Sequence, residues 1–318
     1  PVGLTGSPAG KFRMLQFVAR RLVEALVVVF LALTVVFAIQ FLAGDPVKLF
    51  LPTDTTQKEI EEFRERLGFN DPWLVQYVRF LSGALRGDFG NSLRQQEPAL
   101  GLVLLRLPAT LSLSGVAMLL ALAIAIPVGV ISAARRNSWF DHLGIGATVL
   151  GQAIPGFWLG LMMIYVFSVW LRVLPTGGRG TWLHFIMPSI TLAAFVAARF
   201  ARLTRSMMLD VLGQDYIRTA RAKGLAPMRV LYKHALKNAS LPIVTLLALQ
   251  LGQLLGGAVI TETIFAWPGV GRFLVQALLN RDFPVVLVGV FLTAVLYSAL
   301  NLVADIAYAW LNPRIRYE

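Results

Sequence analysis

Three carboxylates (Glu24, Glu262 and Asp305) and three amides (Gln152, Gln250 and Gln253) lie within or at the ends of long apolar runs. Ionisable groups in such runs line solute or ion routes by default, and amides bond neighbouring helices. Glu24 follows Arg21 by three residues and Arg20 by four, the spacing of a local helical ion pair. Asp305 can anchor to Arg314 or to a basic loop residue. Glu262 can greet an ammonium group or stabilise the turn that follows it. The three glutamines can line a cavity or hydrogen-bond between helices. Other chemistry is missing. There is no cysteine, which removes disulfides, thiolate metal sites and thiol nucleophiles. His142, His184 and His234 are too scattered for a metal centre or a Ser/His/Asp set. The only Gly-Lys pair, Gly10-Lys11, precedes Phe12, so no G-x-x-x-x-G-K-[ST] phosphate loop exists and ATP hydrolysis is not expected of this chain.

The elements that must carry these groups are membrane spans. At 57% hydrophobic and 14% charged, with mean hydropathy +0.68, the 318 residues depart from soluble proteins, of which about a quarter are charged. Six apolar blocks approach the roughly 20 residues that cross a bilayer: 22–43, 110–134, 144–171, 183–201, 240–262 and 285–311. Residues 1–13 read as an expression remnant, which leaves 14–318 as one transmembrane domain. The net charge of +12 is not the footprint of a nucleic-acid binder, because it sits in short loops between spans. Between Arg199 and Lys237 lie nine basic residues and two acids, and that loop marks the cytoplasmic side. An even number of spans then puts both termini in the cytoplasm.

The opposite side carries segment 44–108, with eight basic and nine acidic residues. There Thr56 and Glu59 have capping-box spacing ahead of a charged helix over 58–67. Pro72, Trp73, Tyr77, Phe80, Leu81 and Leu85 recur at the spacing of an amphipathic surface helix. Pro127, Pro155-Gly156 and Pro188 should kink or break spans. Gly156-x-x-x-Gly160 and Gly252-x-x-x-Gly256 can serve a pore wall or a packing face.

The cytoplasmic loop, 202–239, has a readable shape. Asp215 can cap a two-turn helix over 216–223, Gly224 suits the left-handed position after it, and Leu225 supplies the apolar contact beyond. Pro227 restarts a helix with Met228, Leu231, Tyr232 and Ala235 on one face and Arg229, Lys233 and Lys237 on another. Ser240 then caps the next span. A merely solvated loop needs neither an elbow nor a second apolar stripe, so the segment is shaped to dock a partner.

DYIRTARAKGLAPMRVLYKHALKNASLP (215–242) resembles the EAA-type cytoplasmic loop of ABC importer permeases, in its dipeptide/oligopeptide form. GDPV (44–47), GDFGNS (87–92), LPATLSLS (107–114), ETIFAWPGVGR (262–272), RDFPVV (281–286) and NLVADIAYAWLNPRIRY (301–317) extend the likeness along nearly the whole chain. Arg218 and Thr219 replace the Glu and Ala of the general motif, and Asn312 replaces an aspartate. The resemblance implies an all-α type I importer permease with six spans and the 44–108 insertion outside, in a bacterial inner membrane. It implies a second, homologous permease as heterodimer partner, two ATP-binding subunits holding ATP and Mg, and an extracytoplasmic solute-binding protein; this chain itself would hold no cofactor or metal. Asp215, Arg218, Ala220, Arg221, Ala222, Gly224, Leu225, Met228, Arg229 and Tyr232 would form the ATPase-coupling loop. The implied solute is a di- or oligopeptide, with glutathione, a nickel chelate or an oligosaccharide as alternatives. A secondary transporter or channel would instead call for inverted repeats and mid-membrane carboxylates.

Overall fold

The computed structural model describes residues 8–42, 56–66 and 70–311. Among these, helices account for every regular element apart from a single Asn91–Pro98 bridge. In order they are α1 (Pro8–Leu42), α2 (Gln57–Arg66), α3 (Trp73–Leu85), α4 (Ala99–Ala134), α5 (Trp139–Ala153), α6 (Gly156–Met163), α7 (Leu183–Leu212), α8 (Asp215–Ala222), α9 (Lys237–Ile264), α10 (Val270–Leu279) and α11 (Phe283–Leu311). Two stretches are π-wound: Ile164–Trp170 continues α6, and Arg229–Leu236 leads into α9.

Four helices are each long and apolar enough to cross a membrane: α1, α4, α7 and α11. Two bent pairs raise the number to six. One of them is the expected break at Pro155-Gly156 within 144–171. That stretch is α5 and α6, set 98° apart at a break beside Pro155. A proline withdraws its amide and biases the residue before it out of the helical region, and Ile154 is accordingly extended at ψ 122. Pro127 and Pro188 lie inside unbroken helices instead. Helix α1 begins at Pro8, so residues 8–13 of the stretch set aside are continuous with the first span.

The centre is α4 against α7. Leu113, Ala117, Ala121 and Ala125 meet Ala193, Val196, Phe200 and Ala201, and the run of alanines lets the backbones close up. A methyl group at Gly129 would fall 2.6 Å from the Thr204 Cβ. One glycine of each expected pair is a packing contact: a methyl at Gly252 would strike the Tyr297 ring at 2.7 Å, and one at Gly160 would press on Phe265 at 3.2 Å. Gly156 and Gly256 face open space.

In the segment between α1 and α3 the capping box forms as expected. The Thr56 amide donates to Glu59 Oε2 at 2.9 Å, and the Glu59 amide donates to the Thr56 hydroxyl at 3.4 Å. The backbone bond from Thr56 holds the Glu59 carboxyl below its ordinary range. Helix α3 lies on α1 through a Phe37–Phe80 stack and a 2.6 Å bond between Thr34 and Tyr77. Its other face exposes Trp73, Leu74, Val78 and Leu85.

Candidate functional site

The elbow is built on a complete C-terminal cap. Gly224 sits at φ +74, its amide donates to the Arg221 carbonyl at 2.9 Å, and the Leu225 amide reaches the Ala220 carbonyl at 3.4 Å. These two bonds are the Schellman pair, and only glycine takes that backbone conformation without strain. Ile217 and Ala220 of α8 are buried against Val130 and Ala133 of α4 and Met208 of α7, with Leu225 packed on the same cluster. Asp215, Arg218, Arg221, Ala222, Met228, Arg229 and Tyr232 are exposed. The elbow is therefore fixed to the spans by its apolar side and offers a polar side outward. Beneath it runs a cavity of about 830 Å³ lined by Ile131, Arg135, Phe140, Leu225, Met228 and Tyr232 among others.

Three local expectations are corrected here. Gln214, not Asp215, is the N-cap of α8; Asp215 is the acid of its first turn and meets Arg218 at 3.4 Å. Ser240 caps nothing, because the helix runs on into α9 from the π-wound stretch, and the Ser240 hydroxyl donates to the Lys237 carbonyl. The buried stripe of the second helix is Val230 and Ala235, whereas Met228 and Tyr232 are exposed. Of the expected face, Ala235 is buried and Leu231 packs on the same cluster, so at this π-wound stretch only Met228 and Tyr232 turn outward.

Next to the elbow, α7 carries three arginines at three-residue intervals. Arg205 grips Asp141 with two bonds of 2.7 Å, and that carboxylate, 1% exposed, also accepts the Asn137 amide. Arg202 donates to Gln152 Oε1 at 2.6 Å, and Arg199 to Gln253 Oε1 at 3.0 Å. Gln250, buried, donates to the same Gln253 oxygen at 3.1 Å. Gln253 stands midway between Pro242 and Ile264 on α9. A single arginine deep in a span costs roughly 2.5–3.5 kcal/mol against hydrocarbon. Arginines on a membrane-crossing helix by default face protein or water rather than lipid.

At the C-terminal end of α9 Glu262, 0% exposed, accepts the Thr110 hydroxyl at 2.6 Å and the Arg272 amide at 3.0 Å. The Val270 amide donates to Thr110 in turn, and the Trp267 indole to the Ala109 carbonyl. Gly269 leaves room for the carboxylate, which a side chain there would occupy. Of the two readings for Glu262, this geometry is the turn-stabilising one. Glu24 pairs with Arg20 and Arg21, each at 3.2 Å. Arg314 lies outside the described residues, and so does its pairing with Asp305.

Residues 125–317 match the family described as binding-protein-dependent transport system inner membrane component, and residues 14–114 match its N-terminal family. The chain belongs to that family. This permease is 41% identical over 306 residues to the glutathione transport system permease protein GsiC of Escherichia coli K12, covering 96% of this chain and 100% of the relative. The GsiC of Salmonella paratyphi A is 40% identical over the same length. In fold it is similar to the inward-facing MetNI methionine ABC transporter, with a TM-score of 0.56 and 20% identity over 66% of this chain and 96% of that one. It is thus the multi-pass permease subunit of an ABC importer of the binding-protein-dependent type.

The structure joins Gln250 directly to Gln253, which also takes Arg199, places Gln152 apart on Arg202, and leaves Glu262 in a separate network. Sequence reasoning missed the two arginines, which it had counted only as loop charge. Their spacing from Arg205 on a helical ladder was the available signal. It also missed Asp282, buried, which accepts the Ser92 hydroxyl at 2.5 Å and the Leu93 amide at 3.1 Å. That contact joins the GDFGNS and RDFPVV motifs.

Proposed function

We propose that this permease is half of a heterodimeric pore that takes up short peptides, glutathione among them, driven by ATP hydrolysed on two partner subunits in the cytoplasm. The observation that carries the solute class is the end-to-end 41% identity to a glutathione permease. Support for the coupling role comes from the elbow, where α8 is bound to α4 and α7 on one side and exposed on the other. Closure of the ATPases, with Mg and ATP between them, displaces α8, and α4 and α7 follow because Ile217 and Ala220 are packed into them. A rigid element shifted between two docked states is the usual means of switching access from one side to the other. The 44–108 segment faces the solute-binding protein, and both termini lie in the cytoplasm.

The test is uptake in a strain lacking its own peptide and glutathione importers. Expression of this permease with its partner permease, ATPases and binding protein should restore accumulation of labelled glutathione and of tripeptides. Accumulation of an oligosaccharide or a nickel chelate, with neither peptide moving, would replace the solute class while leaving the importer reading in place.

A further inference from the structure

The geometry points to Arg199 and Arg202 as the groups that receive a solute carboxylate inside the translocation route, an assignment that rests on the peptide-importer reading above. Three arginines share one helix, yet only Arg205 is neutralised by a carboxylate. Among the described residues, Arg199 and Arg202 have no acid within ion-pair distance and are held instead by amide oxygens of Gln253 and Gln152. An amide oxygen aims a guanidinium without cancelling its charge. Each arginine is shown giving one side-chain hydrogen bond, and a guanidinium has five N–H donors in a fork that fits a carboxylate. The opposite face of α7, with Val196, Phe200, Thr204 and Met208, is buried, whereas Phe195, Arg202, Ser206 and Asp210 are exposed. The charged strip is thus the side of α7 left open in the isolated chain, between α5 and α9.

Placement explains why neutral partners serve better than acids here. A buried Asp or Glu beside each guanidinium would close the site permanently, as it does at Arg205. A glutamine oxygen can be exchanged for a passing carboxylate and then restored, which allows both entry and release. Peptides and glutathione all carry at least one carboxylate, so the same pair would serve the class without reading side chains. Discrimination against cationic or uncharged solutes follows from the unpaired charge.

The chain has no cysteine, so one added thiol reports on this strip. Ser206→Cys lies one turn beyond Arg202 on the exposed face. The complete transporter carrying it is treated with a charged, membrane-impermeant thiosulfonate, and labelling of this chain is followed by mass spectrometry. S-methylglutathione and trialanine are titrated as protectants, each beside a counterpart with its carboxylates amidated. Protection by the acids alone, with Arg199→Gln and Arg202→Gln each demanding at least tenfold more protectant, is the expected result. Stimulation of ATPase activity by the binding protein should stay intact in both variants, and Arg202→Lys should recover part of the protection. If trialanine protects and S-methylglutathione does not, the glutathione reading falls and the arginine site stands. Amides that protect as well as acids, variants protected like the parent, or no protection by either acid would overturn the assignment.

Discussion

The Thr110 hydroxyl donates to Glu262 Oε1 at 2.6 Å and accepts the Val270 amide at 2.8 Å, so one side chain of α4 closes the turn that leaves α9 and opens α10. Two segments distant in sequence, around residue 110 and over 262–272, meet at one buried carboxyl group. Removing the hydroxyl leaves a buried carboxyl oxygen and a backbone donor without this partner. Thr110→Val should therefore cost about 1–3 kcal/mol. Thermal unfolding of the assembled transporter should show the loss, and Thr110→Ser should restore most of it.

Gly224 tests the elbow. A β-branched residue at φ +74 is strained by about 1–2 kcal/mol and misdirects the chain into the following helix. In Gly224→Val, solute flux and stimulated ATPase activity should fall at least fivefold while the permease still reaches the membrane. Gly224→Asn, which tolerates the left-handed region better, should lose less. Normal transport in the valine variant would remove the elbow from the coupling account.

Asp141 and Arg205 test the join between α5 and α7. Arg205→Ala leaves a carboxylate that is 1% exposed without its counter-charge, a change that typically costs about 3–5 kcal/mol. The double change with Asp141→Ala should cost less than Arg205→Ala alone, because the orphaned charge is gone. Single losses that simply add up in the double variant, in a double-mutant cycle of thermal stability, would show that the pair contributes little.

Topology is open to direct labelling. Cysteines placed singly at Glu61 and Gln95 should react with an impermeant thiol reagent in spheroplasts. One at Lys233 should react only after the membrane is opened. The opposite pattern would invert the orientation.

How far the sequence could be read follows from the range of the interactions involved. The apolar blocks, the Thr56–Glu59 cap and the Gly224 elbow rest on contacts within a few residues, and all of them stand in the structure. The π-winding that exposes Met228 and Tyr232 was not legible, since no residue pattern distinguishes i→i+5 from i→i+4 bonding here. Pro155-Gly156 was legible as a kink or break, but the size of the bend, 98°, is not written in the residue pattern. Ser92 with Asp282 and Arg199 with Gln253 are long-range pairs, whose partners become visible only once the helices are placed.

The central claim, that this permease moves solute only under ATPases that grip its elbow, is tested most directly in proteoliposomes. The permease pair is reconstituted with ATPases and binding protein, and labelled glutathione entry is measured with ATP, without ATP, and with ATPases unable to hydrolyse it. The account predicts uptake in the first case, none in the other two, and no hydrolysis by the permease pair alone. Flux that persists without hydrolysis would contradict it and make the chain a channel or secondary transporter.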